Sequence, residues 1–203
     1  NSNFLDEEFE DAFQKGLNDW IRRQHHGFNR FKEGDEQSEQ RVDDLQILLT
    51  DRKMSVSDRG IFSETVKIPE NYRYYKRLTP LTTKRNCIKQ TIKSYFVEEA
   101  NVDDYLKDWT YQPSFDFEET FHTMLSNKFR IYHNKDFIVN EALLTYYRNP
   151  AYISCKKADY DKLWEWKEDV AEQIINEAVK ILAGDIENIN AYEIANSKVE
   201  SDN

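Results

Sequence analysis

Cysteine is scarce: Cys87 and Cys155 are the only two in 203 residues. Two thiols so far apart make neither a disulfide framework nor a zinc site, and a reducing compartment is the default. Five glycines and four prolines are too few for a collagen-like or linker-like chain. No run of 18 apolar residues exists, so no membrane-spanning helix is expected. The opening NSNFLDEEFE has neither the basic nor the apolar region of a secretory signal, and no leader is expected. The sequence contains no G-x-x-x-x-G-K-[ST], no G-x-G-x-x-G and no G-x-S-x-G, so neither a phosphate-cradling loop nor a nucleophile elbow is expected.

Histidine numbers four. His25 and His26 are neighbours, so on a helix they point about 100° apart and cannot share a metal as an i, i+4 pair would. His122 and His133 fall in expected strands with no ligand motif beside them. Acidic pairs such as Asp103-Asp104 arise by chance among 38 Asp and Glu, and this one suits a helix start. No catalytic residue, cofactor or metal is expected.

What is abundant is aromatic and acidic character. Tyr, Phe and Trp make up 14% of the chain, which a disordered sequence would lack. The net charge of -10 argues against a broad grip on DNA or RNA, because such binding relies on many Lys and Arg at phosphates. An acidic wall repels phosphate and suits a conduit better than a binder. Charge is also sorted. Lys67–Lys93 carries eight Lys or Arg against one Glu, and Glu98–Glu119 carries eight Asp or Glu against one Lys. Such blocks are either two solvated faces of one domain or complementary surfaces of neighbouring subunits.

Local patterns give the elements. Leu5–Gln24 reads as an amphipathic helix through Phe9, Phe13, Leu17 and Trp20, with acids in its first turn. A second helix is expected over Glu36–Leu49. Met54–Ile68 reads as extended segments joined at Asp58-Arg59-Gly60, and NYRYYKRL after Pro69 as a short helix. Asn86–Val97 favours a strand, and VDDYLKDW a brief helix before a loop around Pro113. Thr120–Leu125, Lys128–His133 and Phe137–Tyr147 are strands with hairpin turns at Ser126-Asn127 and Asn134-Lys135. A long helix follows over Asp161–Ala183, stopped by Gly184, with a last helix toward Asn196. The expected fold is α+β: a helical bundle from the N- and C-terminal helices, with a strand-rich middle of hairpins or a small antiparallel sheet. Residues 1–185 would form one domain, and residues 186–203 a C-terminal helix or tail.

The late helix is apolar over a wide arc. Leu163, Trp166, Val170, Ile174, Ala178 and Ile181 form one stripe, and Trp164, Ala171, Ile175, Val179 and Leu182 a second beside it. Together they exceed the roughly 100° face that rests on one core. Such a helix is either central to a monomer or shared with a neighbour.

Six segments stand out in order: DDLQILL, KIPENYRYYKRL, VDDYLKDWTYQPSF, LLTYYRNPAYI at Leu143–Ile153, WEWKEDV at Trp164–Val170, and EQIINEAVKIL at Glu172–Leu182. Taken together they resemble the neck ring or head–tail connector (adaptor) proteins of crAss-like tailed bacteriophages. The resemblance implies a structural virion protein at the neck, made in the host bacterial cytoplasm. Copies would assemble into a ring, dodecameric by analogy, below the portal. Partners would be the portal, other neck or tail proteins, and genomic DNA passing through without specific binding. Subunit contacts would then fall on Tyr146, Tyr147, Arg148, Pro150, Trp164, Trp166 and Ile174, with the tail Asn188–Asn203 reaching a neighbour. Two other readings stand beside this one. One is a non-catalytic, monomeric α+β adaptor; the other is a metal-dependent hydrolase using His122 or His133 with a carboxylate.

Overall fold

The computed structural model describes residues 6–26, 43–84, 88–152 and 166–185. The chain divides into two compact units, residues 49–149 and residues 1–48 with 150–203.

The middle unit is an eight-stranded sheet. Its strands are β1 (Leu49–Asp58), β2 (Phe62–Thr65), β3 (Tyr72–Lys84), β4 (Ile88–Thr91), β5 (Lys93–Phe96), β6 (Glu119–Leu125), β7 (Lys128–Tyr132) and β8 (Ile138–Arg148), in the order β4-β3-β8-β1-β2-β7-β6-β5. The two outer strands, β4 and β5, are separated in sequence by Ile92 alone. One residue cannot span a flat eight-stranded sheet at nearly 5 Å per strand, so the edges must curl toward each other. They do: Ile92 N–H donates to the Pro80 carbonyl at 3.1 Å, and the Tyr75 and Phe96 rings lie 5.6 Å apart. The result is a nearly closed, barrel-like sheet. Met54, Leu78, Ile92, Phe129, Ile131, Leu144 and Tyr146 belong to its core.

One pair, β5 with β6, is parallel and the rest are antiparallel. A parallel neighbour needs a crossover, which residues 97–118 supply. Within it α2 (Val102–Lys107) lays Tyr105 and Leu106 over a second cluster of Val97, Val102, Phe121 and Tyr132.

In the other unit α1 (Asp6–His26) packs against α3 (Glu168–Asp185). Gly16 makes the close approach possible: a Cβ there would meet the Ala178 backbone nitrogen at 2.8 Å. Trp20 donates its indole N–H to Gln173 Oε1 at 2.8 Å and meets Trp166 edge-on at 5.3 Å. Arg23 pairs with the buried Glu177. The buried stripe is Ala12, Leu17, Trp20 and Ile21, while Phe9 of the expected stripe is exposed.

The expected fold class therefore needs correction. The strand-rich middle is a mixed, eight-stranded, barrel-like sheet rather than a small antiparallel one, and the described long helices make a pair rather than a bundle. Two local errors account for much of this. NYRYYKRL is the start of β3 and not a helix, because its tyrosines and the following Thr79, Thr82 and Thr83 suit a strand, and pairing with β8 runs from Tyr72 to Thr83. Asn134-Lys135 does turn the chain, with φ of 43° and 63°, but joins no hairpin: β7 pairs with β2 and β6, and β8 with β1 and β3. Of the helix expected over Glu36–Leu49, residues 43–48 form a short helical turn and a 3-10 segment, and Leu49 already belongs to β1. The rest of that helix, the start of the late helix and the segment toward Asn196 lie outside the described residues.

Candidate interaction surfaces

The sequence-nominated contacts fall mostly inside the chain's own core. Tyr146 and Tyr147, successive on β8, are both buried, so this strand is covered on both faces. Tyr146 donates its hydroxyl proton to Asn71 Oδ1 at 2.9 Å and stacks at a tilt on Tyr72. Arg148 and Pro150 are half-buried. Trp166 and Ile174 are buried in the helical unit. Trp164 and residues 188–203 lie outside the described residues. Of the described ones, Tyr146, Tyr147, Trp166 and Ile174 are thus buried within the chain itself.

The two helical stripes are treated unequally. Trp166, just before α3, and Val170, Ile174 and Ala178 on it are buried, and Ala171 with them. The second stripe continues outward, with Ile175 43% and Val179 45% exposed, one turn apart. Their opposite face is already occupied.

A second surface, which sequence reasoning passed over as a loop around Pro113, lies in the barrel unit over Asp108–Glu119. It is rigidly built. Asp108 Oδ1 accepts the Thr110 N–H at 2.9 Å and the Thr110 hydroxyl at 2.7 Å, which holds its carboxyl below the usual range. Gln112 donates to the Leu106 carbonyl at 2.8 Å. Ser114 and Glu119 exchange backbone bonds at 2.9 and 3.1 Å, closing a small loop in which Glu118 takes a left-handed φ of 58°. Phe115 is buried, its N–H bonded to Asp136 Oδ2 at 2.9 Å. Lys84 lies between Asp136 (2.9 Å) and Asp116 (3.0 Å), bonds that raise its pKa. From this frame Trp109 and Phe117 project into solvent, 84% and 81% exposed. They flank an open cleft of about 760 Å³ that also takes in Gln112, Ser114 and Asn134. The signal in the sequence was four aromatics, Trp109, Tyr111, Phe115 and Phe117, in a stretch with neither helical nor strand period.

The Lys84–Asp116 bridge also joins the basic and acidic blocks inside one chain. To that extent they are neighbouring faces of one unit.

The two histidines nominated for hydrolysis have different settings. His122 is fully buried among Tyr75, Phe96 and Phe129, with Nδ1 2.6 Å from Ser94 Oγ. Its Nε2 has no hydrogen-bond partner, and burial lowers its pKa to about 3. An imidazole held that low is a weak base near neutrality, poorly matched to drawing a proton from Ser94. His133 Nδ1 accepts the Lys135 N–H at 3.2 Å, which places the proton on Nε2, 3.4 Å from Asp58 Oδ1. Burial lowers its pKa, with Asp58 opposing. Protonating Nδ1 would cost the ring the hydrogen bond it accepts from Lys135. Among the described residues no group of three or more His, Cys, Asp or Glu is placed to hold a metal ion, and no helix is long and apolar enough to cross a membrane.

No protein-family model matches the chain, and no curated protein matches it significantly.

Proposed function

We propose that the chain is a structural virion subunit of the head–tail connector type, assembling with copies of itself into a ring below the portal. In this reading the ring surrounds the DNA channel at the neck, and the portal and other neck or tail proteins are its neighbours. The observation that carries the reading is the uncovered stripe of α3. Ile175 and Val179 are apolar and exposed on a helix whose other side is already packed on α1. Exposed apolar area of this kind is what a subunit contact removes from water. The ordered resemblance to crAss-like connectors supplies the specific assignment, and the net charge of -10 suits a wall that lets DNA pass.

Ile175→Asp with Val179→Asp tests the stripe. Both side chains are already exposed, so the thermal midpoint should stay within a few degrees while the assembled species disappears from sedimentation velocity. Unchanged assembly would remove the stripe from the interface.

A monomeric, non-catalytic adaptor is the second reading. It is favoured by the burial of Tyr146, Tyr147, Trp166 and Ile174 within a single chain, which needs no neighbour to cover them.

A further inference from the structure

The loop Asp108–Glu119 has the opposite design to a mobile surface loop. Its backbone is fixed by hydrogen bonds at Asp108, Gln112, Ser114 and Phe115, yet two of its four aromatic side chains, Trp109 and Phe117, contribute almost nothing to the core. Aromatic side chains on a fixed backbone have few torsions to freeze on docking, which makes them efficient contact anchors. Around them stand the exposed carboxylates of Asp108, Asp116, Glu118 and Glu119. Aromatic faces ringed by negative charge favour a basic occupant, above all Arg or Lys laid over the rings.

Such a partner exists on the chain itself. Lys76 and Arg77 on β3 are both exposed; a register shift between Tyr75 and Arg77 marks a β-bulge at Lys76, and Arg77 resumes the ladder opposite Thr145. Within the chain they do not cover the loop, whose Trp109 and Phe117 side chains are 84% and 81% exposed.

We propose that the acidic aromatic loop of one copy docks on the exposed basic bulge, Lys76 and Arg77, of a second copy. The two surfaces differ, so repetition gives a heterologous contact, the kind that closes into a ring when the rotation allows. The inference rests on the ring reading and names a contact separate from the α3 stripe.

The test places a photo-crosslinking phenylalanine analogue at position 117 in a mixture of light and heavy-isotope chains. Inter-copy crosslinks to peptides containing residues 73–78 are expected. In parallel, Lys76→Glu with Arg77→Glu should weaken self-association at least tenfold by sedimentation, at an unchanged thermal midpoint. Adding Glu118→Arg to that variant should recover part of the loss. Wild-type chains that assemble while both variants assemble equally well would overturn this contact and leave the ring reading standing. So would crosslinks confined to one chain or directed to another protein. Wild-type chains that associate neither alone nor on their portal would overturn the ring reading and this contact together.

Discussion

His122 is a buried base without a charge partner, and that makes it a liability in acid. The folded chain keeps it neutral down to about pH 3, whereas the unfolded chain takes a proton near the ordinary 6.5. Between these values the unfolded state binds the extra proton, so stability is full above about pH 6.5 and falls as pH drops toward 3. That gap, at about 1.4 kcal/mol per pH unit, sets a ceiling of about 5 kcal/mol on the loss. His122→Phe with Ser94→Ala, which leaves no hydroxyl stranded, should flatten the melting temperature between pH 6.5 and 4. A shallower slope of the same sign should remain from His133, whose pKa is also lowered by burial. Gly16 tests the helix pair at the same scale. Alanine normally stabilises a helix by about 1 kcal/mol relative to glycine, but here its Cβ would strike the backbone of Ala178. Gly16→Ala should therefore lower stability by about 1–3 kcal/mol in urea denaturation, the usual cost of overpacking. Neither site could be read from sequence. His122 sits in a strand pattern that says nothing of its ring neighbours, and Gly16 interrupts a helix pattern without revealing what lies opposite.

Elements with strong local chemistry were legible. The β6–β7 hairpin was marked by Ser126-Asn127, and both residues take positive φ, 51° and 60°, as a tight hairpin turn requires. The Asp58-Arg59-Gly60 turn joins β1 to β2, with Gly60 at φ 101° and its N–H bonded to Asp58 Oδ1 at 2.8 Å. Helix α1 and the short α2 also lie where their periodicity and acidic first turns placed them. β3 was misread because its tyrosines sit at spacings a helix would also accept, and only its long pairing with β8 decides the matter. The same pairing gives an expected outcome for the nominated residues on β8. Tyr146→Ala with Tyr147→Ala should destabilise the barrel by at least about 3–5 kcal/mol, the cost of one buried aromatic. A variant of unchanged stability would mean that these rings are not packed as described, and differential scanning calorimetry decides it.

At the scale of the whole molecule, closure of the sheet was beyond sequence reading. It depends on β4 and β5 reaching opposite edges around a single residue, Ile92, a non-local relation that no periodicity carries. The acidic balance, the aromatic richness and the two-striped helix were visible from composition and spacing. What structure adds is which stripe stays open, and that an aromatic loop stands rigidly exposed where the sequence suggested only a turn. Both features suit the proposed contacts between copies, and one measurement tests that proposal most directly. Electron microscopy of the purified protein mixed with its portal should show a closed ring of copies seated below the portal, with density joining adjacent subunits. Portal particles with no added ring, beside a protein that stays monomeric at high concentration, would contradict the connector reading and leave the monomeric adaptor.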